Sequence, residues 1–191
     1  MIAGLVLAAG AGTRFGADAK LLAELDGRPL LEHAIRAQCS VPELERVVVV
    51  LGARATAIVD RCDWFGKAEP IVCPDWADGQ SASLRCGVRA LAGASRVIVT
   101  LGDEPLITPE VIRMFVDQPG GTRATYDGRP GHPVVLGAEQ LESIAGLRGD
   151  QGARGLLAGG RAIECAGLCS DRDVDTPADL EEMRSEARAI V

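Results

Sequence analysis

The stretch Ile2-Ala3-Gly4-Leu5-Val6-Leu7-Ala8-Ala9-Gly10-Ala11-Gly12-Thr13-Arg14-Phe15-Gly16 decides the fold. Residues 2–9 form an unbroken apolar run, as expected of a strand covered on both faces. Glycines follow at once, so the chain can turn tightly and bring backbone N–H groups close to a ligand. Arg46–Leu51 (RVVVVL) and Arg96–Leu101 (RVIVTL) repeat the strand signature, with a shorter candidate at 71–73. Between them, 29–39, 55–62 and 81–91 read as helices; in the last, Leu84, Val88 and Leu91 recur at helical spacing. Strands alternating with helices predict an α/β chain with a mainly parallel sheet and helices on both sides.

Two helix starts are marked by a hydroxyl ahead of a first-turn proline: Thr108-Pro109-Glu110 and Thr176-Pro177-Ala178-Asp179, the latter with Asp179 at capping-box spacing. From Gly120 to Gly137 the pattern changes. Glycines and prolines crowd two short strand candidates, 122–126 and 133–136, which predicts a small β-hairpin lobe beside the main sheet. No repeat, linker or low-complexity tract is visible, and residues 1–191 read as a single domain large enough to bury a core.

Composition narrows the function. A hydrophobic content of 47% excludes disorder. A net charge of −7 and an aromatic content of 3% argue against nucleic-acid binding, which needs a basic face or stacking platforms. The apolar start is too short to span a membrane and has no basic leader, so a cytoplasmic location is expected. The six cysteines (39, 62, 73, 86, 165, 169) contain no Cys-x-x-Cys pair and read as reduced, mostly buried thiols.

The glycine loop is not a dinucleotide fingerprint, because Phe15 stands where the third glycine belongs, and it lacks the Lys-Ser/Thr ending of a P-loop. It offers instead Arg14 and, beyond Gly16, Lys20. Two cations at the lip of such a loop suit a triphosphate, whose leaving pyrophosphate needs its charge neutralised; the plainer reading is a glycine turn with two solvated cations. Thr100-Leu101-Gly102-Asp103-Glu104-Pro105 follows another buried run. Asp103 there is placed to hold Mg²⁺ at the carboxyl edge of the sheet, or else to cap the turn before Thr108; Glu104 is expected to face water.

Of Asp173 and Asp175, only one is expected to face the site, and Asp175 is preferred as the nearer to the helix entry; a helix-start acidic cluster is the other reading. His132 lies in a glycine–proline turn, where a surface role is the ordinary one, and His33 reads as structural. Asp150 and Arg154, in Gly149-Asp150-Gln151-Gly152-Ala153-Arg154, suit a helix N-terminus that takes an anionic acceptor, or simply a capped helix. No Ser–His–Asp or Cys–His arrangement can be argued from the spacing.

Taken in order, these segments resemble the molybdenum-cofactor nucleotidyltransferases (MobA-like NTP transferases), and among them most closely the MocA-like CTP:molybdopterin cytidylyltransferases. The resemblance rests on Leu7-Ala8-Ala9-Gly10 with Arg14, Gly16 and Lys20, Ser83-Leu84, Gly102-Asp103 with Pro105, and Gly131-His132-Pro133-Val134. Gly149-Asp150 with Gly152-Ala153-Arg154 and Asp173-Val174-Asp175-Thr176-Pro177 complete it, so it covers almost the whole chain. It implies a Rossmann-like three-layer α/β/α fold with the nucleotide at the carboxyl edge of the sheet. It implies that Leu7, Ala8, Ala9, Gly10 and Gly12, with Arg14 and Lys20, hold the triphosphate, and that Asp103 and Asp175 bind Mg²⁺. Asp75, Gly79 and Ser83 would lie near base and ribose, and His132, Asp150 and Arg154 near the acceptor.

In this family Leu-Ala-Ala-Gly together with Gly-His-Pro goes with CTP rather than GTP, with Ala9 narrowing the base pocket. The implied reaction moves CMP from CTP onto the terminal phosphate of molybdopterin and releases pyrophosphate. A molybdoenzyme or its maturation chaperone is the implied recipient, with no nucleic acid or membrane involved. One departure is visible: Ala17-Asp18-Ala19 puts three residues between Gly16 and Lys20 where the family has two, which predicts a bulge. The alternatives are GTP as donor, a sugar or polyol phosphate as acceptor, an NAD(P)-dependent oxidoreductase, and a non-catalytic binding module. The glycine spacing counts against the oxidoreductase, and the pair Asp103 and Asp175 against the module.

Overall fold

The computed structural model describes residues 1–15 and 19–189, with side chains as far as 185. Gly16, Ala17 and Asp18, where the bulge was expected, lie outside the described residues. In chain order the elements are β1 (Ile2–Ala8), β2 (Glu24–Leu25), β3 (Arg28–Pro29), α1 (Leu30–Cys39), β4 (Arg46–Leu51), α2 (Ala55–Arg61), β5 (Ala68–Val72) and α3 (Gln80–Ala90). There follow β6 (Arg96–Leu101), α4 (Pro109–Met114), β7 (Arg123–Tyr126), β8 (Arg129–Leu136), α5 (Ala138–Ser143), β9 (Ala162–Glu164) and α6 (Pro177–Ala189).

Seven strands form one sheet in the order β5-β4-β1-β6-β8-β7-β9, and all but β8 run the same way. The apolar runs of β1 and β4 have no alternation because both faces are covered. Val6, Ala8, Val47, Val49 and Leu51 pack with Leu31 and Ile35 of α1, Ile58 of α2 and Ile112 of α4. Ala3, Leu5, Val48 and Val50 pack on the other side with Ala82 and Leu84 of α3. Every residue from Val47 to Leu51 is fully buried; at roughly 1.5–3 kcal/mol per large apolar side chain, β4 is a main contributor to stability. The fold is therefore three-layered, as the resemblance implied. A third cluster seats α6: Leu180 and Met183 pack with Val174, Leu25 and Leu30.

The chain runs outward from β1 to β4 to β5, then returns through α3 to lay β6 on the other side of β1. That reversal makes the carboxyl ends of β1 and β6 a topological switch point, where open α/β sheets bind ligands.

Several expectations need correction. The strand at 71–73 is β5, at 68–72; as a sheet edge with Glu69 and Pro70 exposed, it has no apolar run to betray it. The hairpin at 122–136 exists as β7–β8, but it extends the main sheet through antiparallel pairing of β8 with β6. The small separate ribbon is β2–β3 instead. Both hairpins turn on an Asp-Gly pair with positive φ at each residue, 50° and 75° at Asp26-Gly27, 51° and 76° at Asp127-Gly128. That is the geometry of a type I′ turn, for which Asp-Gly is a favoured sequence. The helix start expected at 149–154 is only a 3₁₀ segment, Ala153–Leu157. Neither α5 nor β9 was anticipated. Among the described residues no helix is long and apolar enough to cross a membrane. The six cysteines are free thiols, with Cys62, Cys73 and Cys165 buried.

Candidate active site

The glycine loop leaves the end of β1 beside the turn that leaves β6. Gly102 donates its N–H to the carbonyl of Leu7 at 2.9 Å, and a Cβ at position 102 would stand 3.0 Å from that of Ala8 and 2.9 Å from Leu31. Glycine thus lets the two loops touch and sets Asp103 at the mouth of the crevice. The segment before α6 is then drawn in from far along the chain, because the Val174 N–H donates to the Asp103 carbonyl at 3.0 Å. Val174 is fully buried, which fixes its neighbour Asp175. Asp179 steadies the same segment: its Oδ2 accepts the Thr176 N–H at 2.7 Å and the Asp175 N–H at 3.0 Å, and the Thr176 hydroxyl accepts the Asp179 N–H at 3.2 Å, a reciprocal cap.

Lys20 converges on this place. Its Nζ donates to Asp103 Oδ2 at 2.6 Å and to Asp175 Oδ1 at 3.1 Å, with 11% of the side chain exposed. Burial works to lower the Lys20 pKa, but Asp103 and Asp175 outweigh it and hold the ammonium above its ordinary value. Arg14, largely exposed, reaches Asp175 Oδ2 at 2.8 Å. Asp173 is exposed yet belongs to the same group: partial burial, then Asp175 and Asp103, push its carboxyl up. Of the two carboxylates Asp173 and Asp175, it is Asp175, the one preferred from the sequence, that bonds Lys20 and Arg14. Only Asp175 meets the cations directly among the described hydrogen bonds and ion pairs.

On one side of the loop opens a cleft of about 420 Å³, lined by Leu7, Ala9, Gly79, Ser83, Asp103 and Trp76 among others. Ala8 and the other loop residues Gly10 and Gly12 line a neighbouring pocket with Lys20 and Asp103. Gly79 has φ +101°, and a Cβ there would lie 2.5 Å from the Gly149 carbonyl oxygen and 2.6 Å from Asp150 Oδ1. It lets the loop before α3 press against the 149–150 turn. Asp75 does not stand in the cleft lining; it is exposed, and Trp76 takes the place beside the loop.

A second cleft, about 310 Å³, shares Gln80 and Asp150 with the first and is lined by His132, Arg154, Arg123, Pro130 and Leu157 among others. The structure thus unites His132, Asp150 and Arg154, three residues separated in sequence. It adds Arg123, which the sequence did not signal; the Arg123 Nε is buried without a hydrogen-bond partner. Glu104 does not face water. It is 6% exposed, with Oε1 3.0 Å from His132 Nδ1. Burial pushes its carboxyl up against the pull of His132. For His132 burial works downward, but Glu104 outweighs it and raises the imidazole. His33 is bonded to the Leu25 carbonyl at 2.9 Å, a structural role.

Among the described residues no group of three or more Asp, Glu, His or Cys forms a ready-made metal site. Two carboxylates do converge on one cation, Nζ of Lys20, and a hard divalent ion bound by one or two carboxylates with phosphates as further ligands needs no more from the protein. The residues present fit such an ion.

Fold and site define a nucleotide-binding α/β enzyme whose crevice joins glycine-loop amides, cations and paired carboxylates. The chain belongs to the MobA-like NTP transferase family, whose domain matches residues 4–165. It is accordingly an enzyme of the nucleotidyl-transfer class. It is 34% identical over 193 residues to the nicotine blue oxidoreductase of Paenarthrobacter nicotinovorans, with 92% of each chain covered. In fold it is similar to Rv0371c from Mycobacterium tuberculosis H37Rv, at TM-score 0.82 and 24% identity over 96% of this chain and 97% of that one. That protein has also been solved in complex with manganese. A nucleotidyl transferase from Methanothermobacter thermautotroptrophicus gives TM-score 0.81 and 24% identity, with 100% and 99% covered.

Proposed function

We propose that this enzyme transfers CMP from CTP to the terminal phosphate of molybdopterin, with Mg²⁺ held by Asp103 and Asp175. The observation that carries the reading is the meeting of Lys20 with both carboxylates beside the glycine loop, with a second, arginine-bearing cleft next to it. The loop amides of residues 7–12, Lys20 and Arg14 hold the triphosphate. Ala9, Trp76, Gly79 and Ser83 enclose the base and ribose, with the buried Ala9 methyl favouring the smaller pyrimidine. His132, Asp150, Arg154 and Arg123 hold the acceptor.

The terminal phosphate of the acceptor attacks the α-phosphorus in line. Its P–O bond forms as the α–β anhydride breaks, and pyrophosphate departs. The ion supplies charge neutralisation on the phosphates; the chain supplies alignment of attacking and leaving oxygens and exclusion of water. A phosphate is already ionised near neutral pH, so positioning and electrostatics carry the reaction without a strong base. Pyrophosphate release with CTP, Mg²⁺ and molybdopterin tests the reading directly.

One observation favours a second reading. The relative at 34% identity bears the name of an oxidoreductase, which calls for a parallel assay with a nicotinamide dinucleotide. Oxidation of NADH or NADPH by an organic acceptor, with no pyrophosphate release from any NTP, would establish that reading in place of transfer.

A further inference from the structure

Glu104 is out of place for a residue with no task. Its side chain is more than nine-tenths buried, and Oε2 has no hydrogen-bond partner. Leaving a carboxylate oxygen buried and unsatisfied is costly, and such costs persist where function holds them. Its other oxygen lies 3.0 Å from Nδ1 of His132. His132 is anchored on β8 by its own backbone, whose carbonyl accepts the Tyr126 hydroxyl at 2.7 Å. Gly131 next to it is equally confined, since a Cβ there would stand 2.5 Å from Asp171 Oδ2 and 2.9 Å from the Tyr126 ring. With backbone fixed and Nδ1 engaged, Nε2 is the one polar atom of the ring without a described partner, and the residue lines the cleft that holds Arg123 and Arg154.

We propose that Glu104 is a positioning residue that acts through His132: its hydrogen bond to Nδ1 turns Nε2 toward the second cleft, where it is a third donor, with Arg123 and Arg154, for the phosphate of the acceptor. The inference rests on the transfer reading for its substrate, but the ring geometry stands apart from turnover. The charged groups around the imidazole are Glu104, Asp103 and Asp171 on one side and Arg123, Arg154 and Asp150 along the cleft. A phosphate monoester, carrying up to two negative charges, matches three donors better than a hydroxyl does. The dyad also ties the turn that bears Asp103 to the wall of the acceptor cleft, so the two substrates are held in one register.

The chain has two histidines, which makes ¹⁵N spectroscopy of the labelled full-length protein decisive. In the wild type the His132 signals should show a protonated Nδ1 and should shift when inorganic phosphate is added. Glu104→Leu should abolish that response, and Glu104→Gln, whose amide oxygen still accepts the Nδ1 proton, should restore the ring orientation. A bare Nδ1 in the wild type, or His132 signals indifferent to phosphate, would overturn the proposal. In turnover with CTP and molybdopterin, Glu104→Leu should raise the acceptor KM about tenfold while the CTP KM stays within about twofold. His132→Ala should give the same loss, and the double variant no more than either alone. Additive losses, or equal changes in both KM values, would mean a merely structural role. If no NTP releases pyrophosphate, the transfer reading fails on its own, and the phosphate titration still decides the geometry.

Discussion

The two halves of the crevice are built differently. The proposed nucleotide half is made of turns that leave strands directly: 9–12 after β1 and 102–103 after β6, pinned by the Gly102–Leu7 hydrogen bond. The proposed acceptor half is made of side chains gathered from α3, the β7–β8 hairpin and the 149–154 segment. Backbone amides see a phosphate chain whatever follows it, whereas spaced side chains can discriminate one acceptor from another. On the proposed reading, reaction class resides in the first half and substrate identity in the second.

The largest break in that division should come from Asp103→Ala, which lowers kcat by about 10²–10³-fold with every acceptor while far-UV circular dichroism and Tm stay near wild type. Lys20→Ala should follow, with a loss of about 10²-fold in kcat. It leaves Asp103 and Asp175 facing each other without their shared cation, so Mg²⁺ should raise its Tm more than that of the wild type, as differential scanning fluorimetry will show.

Changes in the acceptor half should act on one substrate only. Arg123→Ala and Arg154→Ala should each raise the acceptor KM about tenfold and leave CTP binding, followed by calorimetry, unaltered. A smaller effect still is expected at the border with the base: Ala9→Gly should shift the ratio of CTP to GTP use by about tenfold or less, read from kcat/KM with each nucleotide.

The smallest effect tests the scaffold of the acceptor half. Glu164 accepts the N–H groups of Ala166, Asp127 and Gly128 and the Thr125 hydroxyl, and so clamps the β7–β8 turn. These bonds, that from Ala166 foremost, hold its carboxyl below the usual glutamate range. A lowered folded-state pKa stabilises the fold above the ordinary glutamate pKa, and the contribution fades as pH falls through the lowered value. Glu164→Ala should therefore lower Tm slightly at neutral pH, and the difference should shrink in acid.

The same contrast explains what the sequence made legible. The parallel core and the meeting of the glycine loop with Asp103 could be read because their signals are local: an apolar run, then glycines, then a carboxylate. Lys20 is the instructive case, since the spacing after Gly16 left its reach open, and the structure brings it to both aspartates. In the second cleft His132, Asp150 and Arg154 were named through the resemblance, whereas Arg123 and the burial of Glu104 were not, because their signals are not local. Arg123 opens an ordinary strand, and only the fold shows its Nε buried beside His132's cleft. Glu104 follows Asp103 and reads as solvent-facing, because the partner that buries it lies on β8. The edge strands β5 and β9 carry too little apolar surface to stand out. The Asp-Gly turns at 26–27 and 127–128 were, by contrast, available signals for both hairpins.

The central claim is tested most directly by pyrophosphate release from CTP, GTP, ATP and UTP in turn, each with Mg²⁺ and molybdopterin. The account predicts release with CTP well above the other three, and release slowed about 10²–10³-fold in Asp103→Ala. Equal release in wild type and Asp103→Ala, or none with any nucleotide from folded wild-type protein, would contradict it.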